Sequence, residues 1–237
     1  MGVPHFAITP CHFSMQNKHT VRIWDLPTRL FHWLLAVCTI ALVISAKIGG
    51  NAMLWHFRFG YAVLALLLFR LVWGLVGGYW SRFAAFLYSP ARMLRYLRGQ
   101  GTPEDGVGHS PLGALSVFGL LAMLALQVGT GLFSDDEIAF AGPLTRFVSG
   151  DGVSLATSLH KDVGQYLVMT LVALHLLAIA FYSVVKKLSL VPAMITGNKT
   201  VTMPVAPSRD DTVSRLSALV IFLLCSAVVA WIVSLGA

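Results

Sequence analysis

Five stretches of this sequence run almost without a charge: Leu30–Ala46, Leu54–Val76, Pro111–Phe133, Val163–Val185 and Leu216–Leu235. Each is close to the ~20 residues that cross a hydrocarbon core. Lipid offers no partner for a bare peptide group, so each stretch must pair its backbone internally and be a helix. The first is short unless its helix starts earlier, and Asp25 as a cap with Pro27 in the first turn supplies such a start. Composition agrees: 57% of the 237 residues are hydrophobic and 11% charged, against about 25% charged in soluble domains. That excludes a soluble globule, and it excludes disorder, which needs low hydrophobicity and high charge. The expected fold is an all-α membrane protein, a four-helix transmembrane bundle plus a fifth, C-terminal transmembrane helix.

The few charges orient the spans. Lys18, Arg22 and Arg29 precede the first, Arg82, Arg92, Arg95 and Arg98 join the second to the third, and Lys186, Lys187, Lys199, Arg209 and Arg215 join the fourth to the fifth. The connection between the third and fourth is acidic, with Asp135, Asp136, Glu137 and Asp151 against Arg146. The positive-inside rule then predicts a cytoplasmic N-terminus and a C-terminus on the outer side. Read this way, the net charge of +7 records topology and lipid contact, with no nucleic-acid partner.

Residues 1–20 lack the apolar run of a signal peptide and read as a leader, extraneous if Met15 is the true start. Residues 21–187 form the expected four-helix domain, 188–212 a linker whose stretch ITGNKTVTMPVAPSRDD is polar with two prolines, and 213–237 the fifth helix. SPARMLRYLRG, opened by Ser89-Pro90, reads as a short amphipathic helix at the cytoplasmic interface. Cys11, Cys38 and Cys225 form no CxxC or CxxCH, which excludes a redox pair and c-type haem attachment.

Histidine carries the functional signal. His32, His56, His160 and His175 fall within or at the ends of apolar spans, where an ionisable side chain faces the bundle interior. His32 starts the first span on the inner side, and His56 starts the second on the outer side. His160 enters the fourth span from outside, with His175 fifteen residues on, roughly 22 Å deeper and about 60° away around a regular helix. The histidines therefore pair by depth, His56 with His160 outside and His32 with His175 inside. Imidazole suits iron, zinc and copper, but zinc sites usually add cysteine or carboxylate and no span carries an acid at mid-depth. A haem takes two axial ligands from opposite faces and is apolar enough for a helix bundle.

Supporting residues fit two such groups. Arg58 lies beside His56, and Arg70 lies fourteen residues beyond it, about 21 Å deeper; a buried guanidinium needs an anion, and haem propionates supply one. Arg29 can serve the inner group, though Arg29 and Arg58 equally suit head groups. Gly60, one turn after His56, lets a flat ring approach the backbone, while Gly113, Gly119, Gly129 and Gly131 suit helix packing. His109 reads as an interfacial helix-start residue, with inner ligand or propionate partner as the alternative. Gln127 and the trio Asp135–Glu137 read as packing and a solvated loop, with quinone or a soluble redox partner as the alternative.

The segments VRIWDLPTRLFHW, WHFRFGYAVLALLLFRLVWGLVG, SPARMLRYLRG, GHSPLGALSV, LHKDVGQYLV and ALHLLAIAFY, in this order over Val21–Lys187, resemble the bacterial cytochrome b561 family. More closely, they are similar to the cytochrome b subunits of nickel–iron hydrogenases. The resemblance implies two b haems with His32, His56, His160 and His175 as ligands. It also implies electron transfer between a membrane quinone pool and a redox partner: a hydrogenase, a dehydrogenase or a c-type cytochrome, periplasmic or membrane-bound. An electron-transfer subunit is expected rather than an independent enzyme. Two other readings compete: a quinone-linked oxidoreductase of a small oxidant such as superoxide, and a haem-free anchor or permease. The broken helices and midplane charges of transporters have no counterpart here.

Overall fold

A computed structural model describes residues 19–188 and 190–236; His5, Cys11, His12 and Met15 lie outside the described residues. Five helical spans are long and apolar enough to cross a membrane, and this is a helical membrane protein. The chain opens on a short strand β1 (His19–Arg22) and enters α1 (Leu26–Ile48), followed by α2 (Met53–Val76) and the short α3 (Pro90–Leu97). Next come α4 (Pro111–Leu132) and α5 (Gly150–Ser158), which passes through a π-turn, Leu159–Gly164, into α6 (Gln165–Val184). The chain then forms α7 (Leu190–Thr196), β2 (Asn198–Val201) and α8 (Thr212–Ser234).

Helix starts follow the local chemistry. Asp25 caps α1 by accepting from the Thr28 N–H at 2.8 Å, with Pro27 in the first turn, so the first span begins at Leu26 and is long enough to cross. Ser89-Pro90, Ser110-Pro111 and Asp211 open α3, α4 and α8 by the same device.

Helix α2 is the hub. It packs against α1, α4 and α8, α4 packs against α6, and α1 and α6 make no close packing with each other. The buried residues of α2 run from Val63 to Gly74, whereas the apolar side chains of the other spans lie largely on the outer surface, where lipid is the solvent. The fifth spanning helix, α8, belongs to the bundle core. Ala218 and Cys225 of α8 share a core with Phe31, Leu66, Phe69 and Trp73, and the Phe222 and Phe69 rings meet edge to face at 6.1 Å.

Residues 190–212 are likewise tied to the N-terminal segment. β2 pairs antiparallel with β1, Thr20 opposite Thr200. Ser208 donates its N–H to the Arg22 carbonyl and its hydroxyl to that of Ile23, at 2.7 and 2.6 Å. Asp210 forms ion pairs with Arg22 and Arg215. Polar composition there reflects groups that satisfy the backbone of the N-terminal segment. We call this the ribbon end; the other end carries the loop Phe133–Ser149.

Candidate functional site: two histidine pairs in the bundle

At the loop end, His56 at the start of α2 and His160 in the π-turn come together, their ring centroids 6.0 Å apart and their planes at 89°. The His56 Nδ1 lies 3.0 Å from the Leu42 carbonyl and 3.5 Å from the Ser45 hydroxyl; the His160 Nδ1 lies 2.8 Å from the Gln127 carbonyl. A carbonyl only accepts, so each Nδ1 carries the proton and each Nε2 keeps its lone pair. That is how a metal-binding imidazole is oriented, with its second nitrogen tied to a backbone acceptor. Two nitrogen–metal bonds of about 2 Å each fit between rings at this separation.

Both rings line a cavity of about 550 Å³, within the usual range for cofactor sites. Gly60 lines it too, with open space where a Cβ would project. Gly131 instead lets the His160 ring lie on α4, since a Cβ there would sit 2.9 Å from the ring. Phe140, stacked on Phe57 with centroids 6.0 Å apart, and Asp135 and Asp136 form part of the cavity wall. The Asp136 carboxylate accepts the N–H groups of Ile138, Ala139 and Phe140 at 2.9–3.0 Å. These bonds, led by Phe140, hold its carboxyl below the ordinary range. The acidic trio is therefore a built turn at the cavity wall rather than only a solvated loop. Arg58 is exposed, its guanidinium 4.8 Å from the Trp55 ring centroid.

The ribbon-end pair is arranged differently. His32 and His175 are near enough to interact electrostatically. The His175 Nδ1 lies 3.5 Å from the Ser116 hydroxyl, and the buried His32 Nδ1 has no partner. Two more buried nitrogens at this end are also unpartnered, Arg29 Nε and His109 Nδ1. Arg29 otherwise donates to the Ile195 carbonyl at 2.7 Å. His109 sits between Trp24 and Phe86, ring centroids 4.6 and 4.3 Å away. Burial, then the charges of Arg70, Lys199 and His32, push its pKa down to about 3, so it is neutral. Buried polar atoms without a partner are costly. Their concentration here fits a bound group that brings its own oxygen atoms.

Arg70 is buried, donates to the Ser81 carbonyl at 2.9 Å and lies 4.6 Å over the Phe83 ring. The protein itself supplies an opposing carboxylate, Asp25, which interacts with Arg70 electrostatically. Asp25 is 0% exposed. Besides capping α1 it accepts from Trp73 Nε1, the Gly78 N–H and the Ser81 hydroxyl at 3.2, 3.2 and 2.7 Å. It thus joins the start of α1 to the end of α2, a role beyond the cap expected for it.

Gln127, expected as a packing residue, donates its side-chain amide to the His160 carbonyl at 3.0 Å. A lone amide within an apolar span was the available signal, since it must find a hydrogen-bond partner there.

The family model for prokaryotic cytochrome b561 matches residues 23–197. A probable Ni/Fe-hydrogenase B-type cytochrome subunit of Azotobacter chroococcum mcd 1 is 24% identical, over 78% of this chain and 90% of its own length. The protein of the same description from Rhodobacter capsulatus is 23% identical, over 79% and 84%. The Escherichia coli K12 probable Ni/Fe-hydrogenase 1 B-type cytochrome subunit is 25% identical, over 46% and 57%. No solved structure matches the chain.

Proposed function

From the premise that this chain belongs to the prokaryotic cytochrome b561 family, and so serves membrane electron transfer through b-type haem, we propose a finer reading. The protein holds two b haems, one between His56 and His160 and one between His32 and His175. It passes electrons between the membrane quinone pool and a redox partner. The observation that carries this is the loop-end pair: two imidazoles 6.0 Å apart across a cavity, each with Nδ1 committed to a backbone carbonyl.

When bound, haem supplies a reversible one-electron carrier whose potential its surroundings tune. The residues of this chain bind and orient it. The four histidines offer Nε2, Gly60 leaves room for the ring, and the arginines face its anionic edge. Arg29 has an unused donor and is the stronger ribbon-end candidate; Arg70 already has Asp25 and Ser81. Arg58 serves the loop-end group from its exposed position.

The relatives named as hydrogenase subunits favour a hydrogenase as partner over a dehydrogenase or a c-type cytochrome. The distribution of basic loops supports an inner-membrane orientation with the ribbon end in the cytoplasm, which places the His56–His160 site on the periplasmic side.

The test is the reduced-minus-oxidised spectrum and the haem content of the purified protein. The expected result is two low-spin b haems per chain. His56→Ala and His160→Ala each remove the same one, and His32→Ala and His175→Ala each remove the other. Full haem content in all four variants refutes the ligand assignment.

A further inference from the structure

We propose that Gln127 is a positioning residue for the loop-end haem: its side-chain amide holds the π-turn that sets the direction of His160. The proposal rests on the reading of His160 as a haem ligand.

The turn Leu159–Gly164 interrupts a span that is otherwise α-helical from Gly150 to Val184. A π-turn is an inserted residue, with bonds shifted from i+4 to i+5. One residue more or less rotates everything beyond it by about 100° relative to His160. The turn therefore decides which way His160 faces relative to α6. The sequence LHKDVG contains no proline that would force such a turn, and within the helix the Gln165 side chain bonds to the Lys161 carbonyl. A contact from a neighbouring helix that fits the wider turn favours it further.

Gln127 of α4 is placed to do so. Its Nε2 donates to the His160 carbonyl at 3.0 Å, while the His160 Nδ1–H donates to the Gln127 carbonyl at 2.8 Å. The side chain of each residue is thus bonded to the backbone of the other, and the ring cannot turn without breaking the clamp. The orientation of the amide follows, since a carbonyl partner requires the NH₂ group and turns Oε1 the other way. That oxygen is buried without a hydrogen-bond partner, against Gly164, the last residue of the turn. A Cβ at Gly164 would lie 1.8 Å from it. Gly164 provides the space that the Gln127 amide fills, and removing either the amide or the space releases the turn.

The experiment uses the full-length, haem-loaded protein purified in detergent, with potentiometric titration and electron paramagnetic resonance resolving the two haems. The ribbon-end haem serves as the internal standard. Axial imidazoles at right angles give a strongly anisotropic low-spin ferric signal, and rings turned toward parallel give a less anisotropic one. Gln127→Ala is expected to lower the anisotropy of the loop-end signal and move its midpoint, or to lose that haem alone, with the ribbon-end signal unchanged. Gly164→Ala, on the opposite helix, is expected to produce the same signature by displacing the amide. The double variant should be no worse than either single, because both act through one clamp.

An unchanged loop-end signal in Gln127→Ala overturns the proposal. So do equal changes at both haems, or additive effects of the two substitutions, which mark general packing. Retention of both haems by His160→Ala is a different failure, because it refutes the ligand reading on which the clamp depends.

Discussion

The two histidine pairs are built on opposite principles. At the loop end each imidazole is bonded to a backbone carbonyl, and both rings line one cavity. At the ribbon end the polar groups of Asp25 and Asp210 are fully engaged with the protein, yet Arg29 Nε, His32 Nδ1 and His109 Nδ1 have no partners. The first site is organised by the fold in advance. The second is held by a strong polar frame around it and, on the proposed two-haem reading, is completed by the group that binds there. Preorganisation and completion on binding are two routes to one result, and each route fails in its own way.

The sharpest way to break the comparison is Gly60→Leu. Its side chain projects into the open cavity, so loss of the loop-end haem is expected, with the ribbon-end haem kept. Spectra of the purified variant decide it, and loss of both haems would mean that the sites are not independent.

Next in size is Asp25→Ala, which leaves the Thr28 and Gly78 N–H groups, the Ser81 hydroxyl and the Trp73 indole N–H without their acceptor. Buried donors left unpaired cost about 1–3 kcal/mol each before relaxation, so a loss of several-fold that of a surface substitution is expected. Thermal unfolding in detergent should show it, with the ribbon-end haem released first.

A smaller effect is expected from Arg29→Gln. If its Nε awaits an anion, the ribbon-end haem should dissociate several-fold faster while the haem-free protein keeps its melting temperature. Equal destabilisation of both forms would make Arg29 a purely structural residue bonded to Ile195.

The smallest effect concerns Asp210, which pairs with Arg22 and Arg215 and accepts the Leu26 N–H. Burial opposes its charge, but bonds from Arg215, Leu26 and Arg22 outweigh it and hold the carboxyl below the ordinary range. A depressed folded value means that its stabilisation is complete above about pH 4, the unfolded carboxylate value. The stabilisation is lost as pH falls through the lower folded value. Asp210→Asn should therefore cost about 1 kcal/mol at neutral pH and flatten the acid limb of a stability profile. Both haem spectra should remain unaltered.

Much of the fold could be read from residue order, because each transmembrane helix declares itself by length and each start by a cap. Asp25 with Pro27, Ser89 with Pro90 and Ser110 with Pro111 are local signals with local causes. Depth was legible for the same reason: a fixed rise per residue turns position in a span into distance from a membrane face. The π-turn was not legible, and fifteen residues of regular helix between His160 and His175 misstate their relation. The anchoring of residues 190–212 was not legible either, because a polar, proline-containing stretch looks the same whether water or β1 satisfies its backbone.

Residue order alone carries the helical membrane fold, the helix starts and the fall of four histidines at two depths. Those properties come from solvent and local stereochemistry. Packing alone brings α8 into the core, Arg70 to the Ser81 carbonyl, and Gln127 and Gly164 together at the turn bearing His160. Each is a contact between residues far apart in the chain, and its energy exists only once the helices are packed.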